Sequence, residues 1–171
     1  MSAVSRAIAG SQSLRIRYVS LSTGATDRIV SPHALVDSGL RWHMRAHDER
    51  RDGFRDFVLT RIQQAEVIGP IPTSANRELD EQWMRIVPME LVPHPDLEQP
   101  LAVVADYGMT RGVLQLRLRA SLVGYVTQFW GIDTTSDHSL DPMRHQLWLR
   151  NTATLYGVES LEFAPGTKIL G

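Results

Sequence analysis

Several segments between residues 14 and 59 alternate between apolar and polar positions, which is the period of a β-strand rather than of a helix. A short amphipathic stretch over residues 4–9 precedes this pattern and predicts a helix. The second strand is expected to end at Pro32. Four or more short antiparallel strands in about sixty residues predict a small, strongly bent sheet or barrel. The predicted strands cover residues 14–19, 28–31, 41–47 and 54–59.

The third predicted strand is the most informative, because its two faces differ in chemistry. Trp42, Met44 and Ala46 share one face. The other face carries only basic and imidazole side chains, from Arg41, His43, Arg45 and His47. Such a face is either solvated or the wall of a cavity, and the pattern alone leaves both interpretations open.

The second half of the chain has a mixed pattern that predicts an α+β layer with helices on one face of a sheet. Pro70 and Pro72 mark a boundary, so we predict a first domain over residues 1–70, a linker over 71–82 and a second domain over 83–171. A helix over residues 77–86 competes with the first strand of this half. The predicted elements are strands over 83–92, 113–119 and 146–150 and helices over 97–107 and 121–130.

Composition excludes several classes of protein. The 171 residues contain no cysteine, which excludes disulfides and thiolate metal sites. Apolar runs are too short for a membrane span and the first residues lack a signal peptide, so we expect a cytoplasmic protein without a membrane partner. A net charge of −1 argues against a broad basic surface for nucleic acid. Lys168 is the only lysine, and so strong a preference for arginine favours recognition of carboxylate or phosphate.

The arginines are concentrated in the first domain. Nine of them lie between residues 15 and 61, against six acidic residues. Arg55 and Arg61 share strand parity with the apolar Phe57 and Leu59 and are expected to face inward. An unpaired buried charge is strongly unfavourable. Because the acids are too few to pair with every arginine, we predict a shared anionic ligand.

A metal site and an enzymatic site are both disfavoured. His43 and His47 lie about 13 Å apart on a strand, too far for one ion even with His33 as a third ligand. The chain has no Gly-x-Ser-x-Gly elbow and no Gly-rich phosphate loop. We therefore predict no metal site, no bound cofactor and no enzymatic activity.

Several segments, in the correct order, resemble a WYL domain. The triplet Trp42-His43-Met44 takes the place of the Trp-Tyr-Leu sequence that names the domain. A Trp-His variant flanked by Pro-His and Arg-Asp-Phe resembles the BrxR/CapW-type regulators, which lie beside anti-phage defence operons. The resembling segments are residues 16–18, 28–35, 39–46 and 54–62. Residues 91–97, 106–109 and 114–130 are similar to the C-terminal extension of those regulators, called WCX.

This resemblance implies an Sm- or SH3-like β-barrel followed by a small α+β extension that forms a homodimer. It also implies a sensor whose pocket binds a nucleotide, second messenger or oligonucleotide and alters DNA binding by an attached winged-helix domain. Trp42 is expected to order the barrel core. The matching pocket residues are Tyr18, Ser20, His33, Arg45, Arg55 and Arg61, with Arg28, Arg41 and His43 as further candidates.

Regulators of this type begin with a winged helix-turn-helix, whereas this sequence begins at the short helix that opens the WYL domain. We therefore expect contact with duplex DNA only through a domain absent from this chain. The chain is then either the effector part of a repressor or a stand-alone protein. The alternative function is a stand-alone Sm-like barrel that binds single-stranded nucleic acid through a basic groove and stacking aromatics.

Overall fold

The computed structural model describes residues 2–167, which divide into two compact units with the boundary between Asp80 and Glu81. Each unit has its own hydrophobic core. The fold class is α+β, as predicted, with many strands and few helices. None of the helices in the described part of the chain is long and apolar enough to cross a bilayer.

The first unit is an antiparallel sheet of five strands with one helix. The predicted helix and the four predicted strands are present, and the sequence analysis missed the fifth strand. The strands are hydrogen-bonded in the order β4-β3-β2-β1-β5. The elements are α1 (Ala3–Ala9), β1 (Gln12–Ser20), β2 (Gly24–Asp37), β3 (Trp42–Asp48), β4 (Gly53–Val58) and β5 (Ile62–Pro70).

This order leaves β4 and β5 at the two edges of the sheet. Among the described residues, no ladder joins these two strands, so closure into an Sm- or SH3-like barrel is not confirmed. After β5 the chain makes two short 3₁₀ turns, Thr73–Ala75 and Arg77–Leu79, and reaches Asp80.

Strand β2 does not end at Pro32, contrary to the sequence-based expectation. It pairs with β1 up to Val30 and with β3 from Val30 to Asp37. Beyond Val30, β2 therefore has a partner on one side only, and a proline there removes no hydrogen bond from the sheet interior. The register shifts between Pro32 and Ala34, which makes a bulge at His33.

The core of the first unit lies between α1 and one face of the sheet. Ser2 caps α1 by accepting a hydrogen bond from the Ser5 amide at 3.2 Å. The expectation that Trp42 orders this core is wrong, because its side chain is 51% exposed. Strand β4 pairs with β3 only as far as His43, so Trp42 has a neighbouring strand on one side alone. The buried core residues are Val4, Ala7, Leu14, Ile16, Tyr18, Val30, Met44, Ala46 and Phe57.

The described residues of the second unit form a four-stranded sheet and three α-helices. The sheet has the order β7-β6-β9-β8, and within these residues only the β8–β9 pairing is parallel. The competing helix proposed for residues 77–86 is present only as a single turn before β6. The elements are α2 (Glu81–Met84), β6 (Ile86–Pro93), α3 (Pro100–Asp106), β7 (Leu114–Arg119), α4 (Ala120–Phe129), β8 (Ile132–Asp133) and β9 (Leu147–Leu149).

Helix α4 packs closely on the 3₁₀ segment Glu159–Phe163. A Cβ atom at Gly124 would overlap the carbonyl oxygen of Ser160, so this contact requires glycine. The Ser160 hydroxyl accepts a hydrogen bond from the Gly124 amide at 3.0 Å and donates one to the Ala120 carbonyl at 2.7 Å. These bonds satisfy polar groups that the close approach buries.

The loop after β8 is organised by the fully buried carboxylate of Asp133. Its oxygens accept hydrogen bonds from the amide and hydroxyl of Thr135, both at 2.7 Å, and from the Leu140 amide at 3.1 Å. Burial acts to raise the pKa of Asp133, but the hydrogen bonds from Thr135, Leu140 and His94 together hold that pKa below its ordinary value. The loop is therefore built around an ionised carboxylate.

Candidate functional site

Both faces of β3 are buried from His43 onward, which excludes the interpretation of its polar face as a solvated surface. Residues 43–48 are all buried, and the exposure of His43, Arg45 and His47 is only 5–6%. Register places them opposite Val58, Asp56 and Phe54 of β4. We call this buried polar side of the sheet, away from α1, the charged face.

The centre of the charged face is an ion pair between Arg45 and Asp80. Arg45 Nε donates to Asp80 Oδ2 at 2.7 Å and Arg45 Nη2 donates to Asp80 Oδ1 at 2.8 Å, which is the bidentate geometry of a guanidinium with a carboxylate. Arg45 Nη1 also donates to Asp56 Oδ1 at 3.3 Å. Asp80 is 1% exposed, so both partners are shielded from water.

The charge of Arg45 is stabilised by these carboxylates despite its burial. Desolvation by itself lowers the pKa of Arg45. The hydrogen bond to Asp80 and the negative charges of Asp56 and Asp80 outweigh it, and the net pKa is raised. Arg45 is therefore a fixed cation at the middle of the face.

Two histidines extend the charged face on one side. His33, at the bulge of β2, has Nε2 at 3.0 Å from Asp80 Oδ2, so Asp80 serves both His33 and Arg45. His47 Nε2 lies 3.4 Å from the exposed carboxylate of Asp52. The ring of Phe54 meets both imidazoles edge-on, with centroids 5.6 Å from His33 and 5.1 Å from His47.

His43 lies toward the other end of the face, in a basic environment. Burial lowers its pKa, the charges of Arg41 and Arg61 lower it further, and Asp56 opposes them. Arg41 is exposed and Arg61 is half-buried. Neither of these arginines forms an ion pair within residues 2–167. An excess of positive charge therefore surrounds a neutral imidazole.

Four of the predicted site residues lie elsewhere in the unit. Tyr18 belongs to the apolar core, where its hydroxyl accepts a hydrogen bond from the Val58 amide at 3.3 Å. Arg28 is buried and donates to Asp48 Oδ2 at 2.6 Å. Ser20 bonds to the neighbouring Ser22, and Arg55, expected to face inward, is exposed. The structure thus brings together His33, Arg41, His43, Arg45 and Arg61.

The buried arginines form ion pairs with acidic residues of the protein, so they need no ligand to neutralise their charge. Arg28 is neutralised by Asp48 and Arg45 by Asp80 and Asp56, so the shortage of acids concerns only arginines nearer the surface. Asp80 was missed because it comes from the segment expected to be a linker. A buried arginine indicates that an acid is needed, but no local pattern identifies which acid supplies the charge.

Comparison with known families matches both units. The model of the WYL domain matches residues 1–67, and the model of the BrxR transcriptional regulator C-terminal dimerization domain matches residues 86–155. The chain is a WYL-domain protein. Its second unit places it with the BrxR-type members of that family, which confirms the resemblance inferred from the sequence.

Curated relatives agree with this assignment. A protein named DNA-binding transcriptional repressor CapW, from Escherichia coli (strain KTE188), is 34% identical over 161 residues, covering 92% of this chain and 53% of its own length. A protein of the same name from Stenotrophomonas maltophilia is 36% identical, over 82% of this chain and 48% of its own length. Another, from Pseudomonas aeruginosa, is also 36% identical, over 71% of this chain and 41% of its own length. The chain spans about half the length of the curated relatives it matches. Their names describe regulators rather than enzymes.

Among solved structures, proteasome accessory factor B/C (PafBC) of Arthrobacter aurescens aligns with 72% of this chain and 21% of its own. The two share 23% identity with a TM-score of 0.40, which is too low to establish a shared fold.

Replacing Asp80 by asparagine tests the central ion pair. The change leaves a buried guanidinium with only the more distant Asp56, so we expect Asp80→Asn to lower the free energy of unfolding by about 3 kcal/mol. Urea denaturation measures this loss. The matched control is Glu66→Gln, which removes an exposed partner of Arg15 and should cost less than about 0.5 kcal/mol. Equal effects of the two substitutions would contradict the assigned role of Asp80.

The lowered pKa of His43 predicts that the stability of the protein depends on pH. Its pKa is lower in the folded protein than the 6.5 of an ordinary histidine, so protons bind the unfolded chain more readily. The free energy of unfolding should therefore fall as the pH drops below about 6.5 toward the folded pKa, and His43→Gln should remove this component. Urea denaturation of both proteins between about pH 7.5 and 5.5 checks the prediction. Parallel pH profiles would show that His43 does not titrate on unfolding.

Proposed function

We propose that this chain is the ligand-sensing and dimerising part of a transcriptional repressor. Its first unit binds an anionic ligand with at least one phosphate group, such as a nucleotide, a second messenger or an oligonucleotide. The observation that carries this proposal is the pair Arg41 and Arg61, whose charges act on His43 and have no ion-pair partner in the described chain. Guanidinium groups of this kind bind phosphate well.

The residues of the charged face have different roles in the proposed ligand binding. Arg41, His43 and Arg61 contact the ligand, because they lie where positive charge is in excess. Arg45 and His33 are held by Asp80 and form the floor of the site. A phosphate that reaches this floor would compete with Asp80 for Arg45. Tyr18, Ser20, Arg28 and Arg55 remain part of the proposal only as more distant ligand contacts.

The repressor function rests on the relatives that share both units and are named DNA-binding transcriptional repressors. Contact with duplex DNA is assigned to a winged-helix domain, as the resemblance implies, because a net charge of −1 supplies no field for duplex binding within these residues. From the resemblance alone, the regulated genes belong to an anti-phage defence operon. Mapping the promoters that the repressor occupies in cells would show whether they do.

Two arginine substitutions test the ligand site. We expect Arg41→Ala combined with Arg61→Ala to weaken binding of ATP at least tenfold in calorimetric titration, because each arginine contacts phosphate. The melting temperature should stay nearly unchanged, since neither residue forms an ion pair within residues 2–167. Arg117→Ala, an exposed arginine of the second unit, is the matched control and should bind like the parent protein.

A fluorescein-labelled dT12 oligonucleotide distinguishes a pocket from a groove for single strands. Two phosphate contacts predict a slope of log affinity against log salt of about −1.4, whereas a groove that follows the strand predicts a much steeper slope. The exposed ring of Trp42 beside Arg41 is the feature that would favour a groove, because bases stack on aromatics. Failure of both ATP and dT12 to bind at low salt, or equal binding by the double variant, would overturn the ligand site.

Dimerisation is assigned to the second unit, whose family model carries that description. The unit exposes several large apolar side chains, including Leu101 at 77% and Phe129 at 53%. Sedimentation equilibrium of the whole chain should give about twice the protomer mass of 19.2 kDa. A mass that stays at the protomer value up to high micromolar concentration would exclude a dimer formed by this chain alone.

A further inference from the structure

Three side chains of the second unit, none of which belongs to the charged face, lie close together. A nitrogen of His94, a carboxylate oxygen of Asp96 and a nitrogen of His138 all lie within 4.8 Å of one another. His94 and Asp96 follow β6, whereas His138 comes from the loop after β8. We call these three residues the His-Asp-His cluster.

His94 is fixed in one orientation and one tautomer. It is fully buried, and its Nδ1 accepts a hydrogen bond from the Asp96 amide at 3.2 Å. An amide can only donate, so Nδ1 carries the lone pair and Nε2 carries the proton. Nε2 then donates to Asp133 Oδ2 at 3.2 Å. A histidine whose far nitrogen donates to a carboxylate is the usual arrangement of a metal ligand.

The other two members face solvent and are already in contact. His138 Nδ1 lies 3.2 Å from Asp96 Oδ2, and the two side chains are 38% and 58% exposed. The His138 ring packs edge-on against His94 and Trp148, with centroids 5.8 Å and 5.6 Å away. Trp148 is anchored by donating from Nε1 to the Thr135 carbonyl at 2.9 Å. The contact with Trp148 therefore holds the His138 ring beside Asp96.

We propose that the His-Asp-His cluster binds one divalent transition-metal ion of the zinc type. Two imidazoles and a carboxylate are a common three-residue ligand set for zinc, and the exposed side leaves room for water as a fourth ligand. Tetrahedral coordination with bonds of about 2.0–2.1 Å requires ligand atoms about 3.4 Å apart. Asp96 and His138 already meet that spacing, and the cluster as a whole is within 4.8 Å.

Binding exchanges two hydrogen bonds for metal bonds. The ion takes the lone pair of His94 Nδ1, so the Asp96 amide has to turn away from that nitrogen. It also replaces the hydrogen bond between His138 Nδ1 and Asp96 Oδ2, and the His138 proton moves to Nε2. Asp133 stays in place as the acceptor for His94 Nε2. The ion thereby joins the segment after β6 to the loop between β8 and β9, which the described structure links there by hydrogen bonds and by the contact of the His94 and His138 rings.

Calorimetric titration of the whole chain with zinc chloride, after removal of metal by a chelator, tests the proposal. We expect one ion per chain with micromolar or tighter affinity, and a rise in melting temperature with zinc concentration. Asp96→Asn and His138→Asn should each weaken binding at least tenfold. Asparagine is chosen at position 138 because the backbone there has a φ of 45°, which asparagine tolerates.

His145→Gln is the matched control, since His145 belongs to the same unit but bonds to the Gly131 carbonyl outside the cluster. It should bind zinc like the parent protein. Cobalt absorption spectra identify nitrogen and oxygen coordination in the parent chain and its loss in the cluster variants. Absence of stoichiometric binding, or equal binding by all variants with unchanged metal-free melting temperatures, would overturn the proposal.

Discussion

The buried cation of Arg45 is stable only with an anion beside it, and the path of the chain in the first unit brings Asp80 to that position. Its guanidinium stays charged in a protein, and β3 holds it at 6% exposure. Asp80 supplies the charge with both oxygens, although it lies beyond β5 and two 3₁₀ turns. The chain after the last strand is therefore held by an ion pair at Asp80, in addition to the burial of Ala75. His33 adds a second contact to the same carboxylate.

The sheet of the first unit has one apolar face and one buried charged face, and the two faces contribute differently to the unit. The face toward α1 holds Met44, Ala46 and Phe57, whose burial supplies hydrophobic stabilisation. The opposite face fixes its central cation internally, and Arg41 and Arg61 form no ion pair with a described carboxylate. The paired charges belong to the fold, and the two arginines without an ion pair are the groups to which the proposed function assigns a phosphate.

Alternation along the chain predicts strands well, because a period of two follows directly from backbone geometry. It does not reveal what covers each face. The pattern separated His43 and Arg45 correctly from Met44, yet it could not show that both faces are buried, nor that Trp42 lies past the end of β4. Ion pairs between residues that are tens of positions apart produce no periodic pattern in the sequence. That is why Asp80 and the His-Asp-His cluster emerge only from the folded structure.

The pairing of Arg45 with Asp80 closes a loop of 35 residues, and the separate pair Arg28–Asp48 closes one of 20. Hairpins between consecutive strands close much shorter loops and form first, since loop-closure entropy grows with length. We expect the Arg45–Asp80 bond to be absent from the transition state of folding. An interaction that forms after the barrier leaves the folding rate unchanged and slows unfolding. The bond therefore governs how long the folded unit persists rather than how quickly it is made.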